Sequence, residues 1–119
     1  MDYEQEVKDR WGETEAYKQS TARTSKYTKD DFAAAKVDQE AATEMFVMAF
    51  GNNYSVRSEQ AQAAVVAHRA AISKWFYDCS TEMQKNLALM YIEDHRFKAY
   101  YEGRARGLAQ YVHDAIMAQ

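Results

Sequence analysis

The chain has no proline and only 4 glycines among its 119 residues, and this shortage limits its architecture more than any other feature. Chains built from β-strands use proline and glycine at turn after turn, whereas short helix connections manage without them. Alanine is abundant, and no segment sustains the alternation of apolar and polar residues that a half-buried strand needs. The chain therefore reads as all-α, and its length suits a single domain with one core.

Caps and stripes place the helices. Thr28 is an N-cap, with Asp30 and Asp31 in the first turn complementing the helix dipole. Phe32, Ala35, Gln39, Ala42, Phe46 and Ala49 follow at spacings of three and four, and the pattern ends at "GNN", residues 51–53. Ser58 caps a second helix with the stripe Ala61, Val65, His68, Ile72, Trp75 and Cys79. Ser80 caps a short third helix carrying Met83, Leu87 and Met90. Asp94 opens a turn or two through Phe97 and Tyr101. Beyond Gly103 to Gly107, residues Leu108, Tyr111, Val112, Ala115 and Ile116 define the last helix.

Aliphatic residues are unevenly spread. Every Leu and Ile lies at or after Ile72, and residues 1–40 have no methionine beyond Met1. The large apolar residues there are Tyr3, Val7, Trp11, Tyr17, Tyr27, Phe32 and Val37. Such a stretch buries little surface against a backbone ordering cost of about 1–2 kcal/mol per residue. The expectation is a mobile, aromatic-bearing segment over residues 1–27 that orders when it has something to cover, on a core of residues 28–119. Amphipathic helices docked permanently on that core are the alternative.

Charge and targeting features narrow the function classes. Lys and Arg number 15 against 18 Asp and Glu, for a net charge of -3, which offers no basic face for DNA or RNA. No run approaches the roughly 18 apolar residues of a membrane span. The acidic start "MDYEQEVKDRWG" is no signal peptide, and a single cysteine forms no internal disulfide. A cytoplasmic location is expected.

Candidate chemistry is sparse. His68, His95 and His113 show no HxxxH or HExxH spacing and Cys79 has no CxxC partner, so no metal is expected. His68 reads either as a core histidine bonded to a neighbour or as a contact for a bound group, haem included. Along one continuous helix, Cys79 lies roughly 16 Å from His68, far beyond the ~3 Å of base catalysis. Asp78 and Glu82 oppose a lowered thiol pKa, so Cys79 reads as packed and inert. No enzyme is expected.

Aromatic density is what remains: 9 Tyr, 5 Phe and 2 Trp. If "KWFYDCST", residues 74–81, continues as helix, Tyr77 points about 180° from His68 and one core does not take both. Rings with polar ends suit the walls of a site for a bulky, partly apolar ligand.

Five segments carry a resemblance: "YEQEVKDRWGETEAYKQS", "YTKDDF", "HRAAISKWFYDCSTEM", "LALMYIEDHRF" and "GLAQYVHDAI". Together they resemble, in order and near-family spacing over essentially the whole chain, the TipAS family of antibiotic-recognition domains, found at the C-terminus of some MerR-type transcription activators. The resemblance implies a globin-like fold without haem or other cofactor. It also implies a hydrophobic cleft for thiopeptides or other bulky antibiotics, and an N-terminal segment that closes over the ligand. It places His68, Tyr77, Asp78 and Cys79 around the cleft. To these walls we add Trp11, Tyr17 and Tyr27 from the lid, then Phe32, Phe46, Trp75 and Met83.

This sequence departs from the family pattern in three ways. Asn86 stands where some thiopeptide-binding members carry a second cysteine that adds to the drug, so the resemblance does not carry covalent capture to this chain. Gln84 stands where histidine is frequent. The DNA-binding helix-turn-helix and dimerising coiled coil have no counterpart in these residues, so a monomer without nucleic-acid contact is expected. The expected role is the sensor part of a regulator, with a stand-alone drug-sequestering protein as the alternative.

Overall fold

A side-chain oxygen of the cap residue opens every helix but the last among residues 14–119, which the computed structural model describes. Thr14 accepts from the Tyr17 amide at 3.1 Å and starts α1 (Glu15–Thr24). Thr28 and Asp31 form a reciprocal capping box at the start of α2 (Lys29–Gly51). Ser58, Ser80 and Asp94 do the same work for α3 (Glu59–Trp75), α4 (Thr81–Glu93) and α5 (His95–Glu102).

The last helix, α6 (Leu108–Met117), follows Gly107 at φ 90°, where no side-chain cap exists. Glu102 substitutes from the preceding helix, accepting the Gly107 and Ala109 amides, each at 3.0 Å. Those amides hold the Glu102 carboxyl below the usual carboxylate range. A Cβ at Gly107 would be strained by the backbone angle and would lie 3.3 Å from the Phe50 ring.

The helices share one interior. Asp38 meets Trp75 and Phe46 meets His68, so α2 and α3 run antiparallel, and they form the most extensive helix pair. Next come α4 against α6, then the short α5 against α4. Phe46, Val65, Leu108, Val112 and Ile116 are fully buried at the centre. Alanines 49, 61, 64, 88, 109 and 115 let the backbones approach closely around them. The all-α architecture is as expected. Among the described residues, no helix is long and apolar enough to cross a membrane.

Two expected details are corrected. The third predicted helix is α4, 13 residues long, and its buried face is Gln84, Ala88 and Tyr91. Met83, Leu87 and Met90 lie one position round from that face and are only partly covered. The helix bearing His68 ends at Trp75, so Cys79 does not belong to its stripe.

The stop has a physical cause. The Cys79 amide donates to Ser73 Oγ at 3.0 Å and folds the chain back. The carbonyls left open at the end of α3 are met from far away in sequence. Arg23 Nη1 donates to the Ser73 carbonyl at 2.6 Å, and the Tyr27 hydroxyl donates to that of Trp75.

Candidate functional site

Two cavities have Phe97 as a common lining residue, and its ring stands 5.9 Å from that of Tyr91, which lines the second of them. The first, of about 400 Å³, opens between α1 and α4. Thr14, Ala16, Tyr17 and Ser20 form its α1 side, while Met83, Leu87 and Met90 form its floor. Tyr77, Asn86 and Phe97 complete the walls. The second cavity, of about 430 Å³, lies between α2, α3 and α5, with Phe32 at its rim and His68 and Tyr91 deep inside.

Tyr77 lines the first cavity just beyond the break after Trp75. Burial, with the charge of Cys79 added, pushes its phenol far above the ordinary value. It therefore stays a neutral hydroxyl, and it makes no hydrogen bond to another residue of the described chain. Cys79 is buried, and burial raises its thiol pKa despite Arg69. This holds the sulfur in the protonated form, which is the poor nucleophile.

His68 sits in a closed network whose proton positions can be worked out. Arg69 only donates, so the Gln84 atom 3.1 Å from its Nη1 is the amide oxygen, which also accepts from Gln119 at 2.8 Å. The Gln84 nitrogen must then donate to the Val65 carbonyl and to His68 Nδ1, both at 2.8 Å. His68 is left with its proton on Nε2, which donates to the Tyr91 hydroxyl at 2.9 Å. That hydroxyl interacts in turn with Tyr101. Burial, and then the Arg69 charge, lower the His68 pKa from 6.5 to about 4. Both ring nitrogens are engaged, so no lone pair is directed at a haem iron.

The remaining expected site residues are dispersed. Phe46 is fully buried beneath His68 and lines neither cavity. Tyr27, Phe32 and Trp75 pack edge to face, with centroids 5.5 and 5.8 Å apart. The Trp75 indole donates to Asp38 at 2.7 Å, outside both cavities, and with Lys74 holds that carboxyl low. Asp78 is exposed, pairs with Arg23 at 2.8 Å and donates its amide to Gln19 at 2.9 Å. Trp11 lies outside the described residues. Among those residues, no group of His, Cys, Asp or Glu could hold a metal ion.

Sequence reasoning did not place Gln84, Tyr91, Phe97 or Tyr100 among the site residues. The available signal was the spacing of Gln84, Ala88 and Tyr91 at three and four, hidden because a glutamine interrupts that face.

Comparisons with known proteins agree with this architecture. The model of the TipAS antibiotic-recognition domain family matches residues 3–119. The chain is 40% identical over 116 residues to the HTH-type transcriptional activator TipA of Streptomyces coelicolor, covering 98% of this chain and 46% of that protein. It is 29% identical over 115 residues to the HTH-type transcriptional activator mta of Bacillus subtilis, covering 97% and 44%. The chain thus spans less than half the length of these curated relatives. Among solved structures, the complex of nosiheptide with TipAS from Streptomyces lividans matches with a TM-score of 0.89 at 40% identity. That match covers 98% of this chain and 81% of the other, and it agrees with an all-α, globin-like fold.

Proposed function

This chain belongs to the TipAS antibiotic-recognition domain family, and on that premise we propose that it binds bulky antibiotics reversibly in the α1–α4 cleft. Thiopeptides such as nosiheptide, which the structural relative binds, are the first candidates. The observation carrying this reading is the state of α1, which contributes one side of the cleft yet has no buried residue of its own. It rests on the end of α3 through polar contacts from Arg23, Gln19 and Tyr27.

A helix of 10 residues held in this way is marginal by itself. A ligand over Met83, Leu87 and Met90 supplies the apolar partner that α1 lacks, at the cost of ordering the segment. In this proposal residues 1–27 are the lid, of which 1–13 lie outside the described residues, and 28–119 the core.

Capture in this reading is reversible: Asn86, which lines the cleft, stands where the resemblance places a second cysteine in some members, and burial keeps Cys79 a thiol. Tyr77 offers its unengaged hydroxyl, and Tyr17 closes from above. The domain is a sensor and not an enzyme, serving a MerR-type activator in the cytoplasm. Ordering of the lid is the signal passed to the DNA-binding part. Amide exchange with and without nosiheptide tests this. Exchange across Glu15–Thr24 should slow on binding, and equal protection in both states would overturn the reading.

A further inference from the structure

The second cavity shares only Phe97 with the α1–α4 cleft among its lining residues, and its own chemistry is distinct. Its volume comes from alanine. Ala35 and Ala42 on α2 and Ala71 on α3 line it where larger aliphatic side chains would fill it. The rings of Phe32, Phe76, Phe97 and Tyr100 surround the space.

Most polar groups lining it are already engaged. Thr43 donates to the Gln39 carbonyl at 3.0 Å, so Tyr100 must be the donor in their 3.2 Å contact. Both nitrogens of His68 are taken, and Glu40 is held by Arg104, which stacks over Tyr100 at 4.0 Å. Two donors remain, the Lys36 ammonium and the Gln39 side-chain amide. They lie on one edge of α2 at a spacing of three, neither side chain bonded to another described residue.

We propose that this compartment is a second binding site, for a flat aromatic ring system carrying a carboxylate. The rings of Phe32, Phe76, Phe97 and Tyr100 sandwich the aromatic part, while Lys36 and Gln39 take the carboxylate. A volume of about 430 Å³ lies within the range of small-molecule sites and suits two or three fused rings. The site does not depend on the assignment of the α1–α4 cleft. The same chemistry is available from a free aromatic acid or from an aromatic arm of a larger ligand reaching past Phe97.

The test titrates 2-naphthoate into the isotope-labelled full chain, followed by amide chemical shifts. Saturable shifts are expected at Ala35, Lys36, Thr43 and Ala71, with none at Ser20, Met83 or Leu87. Ala71→Leu, which fills the cavity, should weaken binding about tenfold or more. Lys36→Gln, on an exposed edge that leaves the fold intact, should weaken it about fivefold. The neutral 2-naphthamide should bind the unaltered chain about as weakly as naphthoate binds Lys36→Gln.

Shifts centred on Met83 and Leu87, a lack of saturation, or equal affinity of Lys36→Gln would each overturn the proposal. Nosiheptide separates the two sources. Displacement of naphthoate assigns the compartment to an arm of the large ligand, and a ternary complex assigns it to a separate acid. Either result upholds the site, and failure of nosiheptide to bind at all bears only on the α1–α4 cleft.

Discussion

Protonating His68 would set its Nδ1–H against the amide N–H of Gln84, which cannot turn away without leaving Arg69 facing another donor. The folded protein therefore keeps this histidine neutral down to a pKa of about 4, against 6.5 unfolded. Because the folded pKa is the lower one, the unfolded chain binds the proton first as pH falls. The contribution is complete above pH 6.5 and declines through the acid range, a loss of about 3 kcal/mol between pH 7 and pH 4. Urea midpoints across that range should follow this course. His68→Asn should remove this part of the dependence, and an unchanged profile in that variant would refute the account. His68 was legible in sequence as either a bonded core residue or a ligand contact. Its partner Gln84 was not, because a glutamine on the stripe with Ala88 and Tyr91 reads as a break in that face until the four groups that satisfy it are seen.

At the scale of elements, the contact between α1 and α3 is a helix cap assembled from two distant segments. Arg23 serves two partners there, the Asp78 carboxylate and the Ser73 carbonyl. Asp78 is mostly exposed, and such a pair contributes little. Removing a donor from a helix-end carbonyl costs about 1 kcal/mol. Arg23→Ala should therefore accelerate amide exchange across Glu15–Thr24 well beyond Asp78→Ala, although both abolish the same ion pair. Equal effects would mean that charge, not capping, holds the helix. The caps Thr28, Ser58, Ser80 and Asp94 were readable because cap and amide lie within three residues of each other, whereas Thr14 and the substitute cap Glu102 were not read. The end of α3 was not readable, since its partners stand about 50 residues upstream and no glycine or proline marks the stop. That one hidden boundary displaced Tyr77 and Cys79 from their expected faces.

For the molecule as a whole, two cavities meet at Phe97. The order of helices was visible because alternating caps and stripes are local. The division into two cavities was not, because it depends on where α5 places Phe97 relative to Tyr91 on α4. Met83, Leu87 and Met90 have the spacing of core residues, and only the position of α1 turns them into a cleft floor. Leu87→Ala should lower nosiheptide affinity about tenfold, because the shorter side chain covers less of the ligand's apolar surface, and leave 2-naphthoate affinity unchanged. Calorimetric titration of both ligands would check this, and matched losses would mean one merged pocket. The latch that caps α3 has a kinetic consequence as well. Arg23 and Tyr27 fasten α1 at its C-terminal end, beside the connection into α2, while its opposite end borders the cleft. On the proposed lid reading, a helix tethered in this way would swing open without departing, so reclosure would be unimolecular and indifferent to dilution. The lifetime of a bound guest would then be tied to the hydrogen bonds that Arg23, Gln19 and Tyr27 make beside the end of α3, and strengthening them should lengthen residence far more than it speeds arrival.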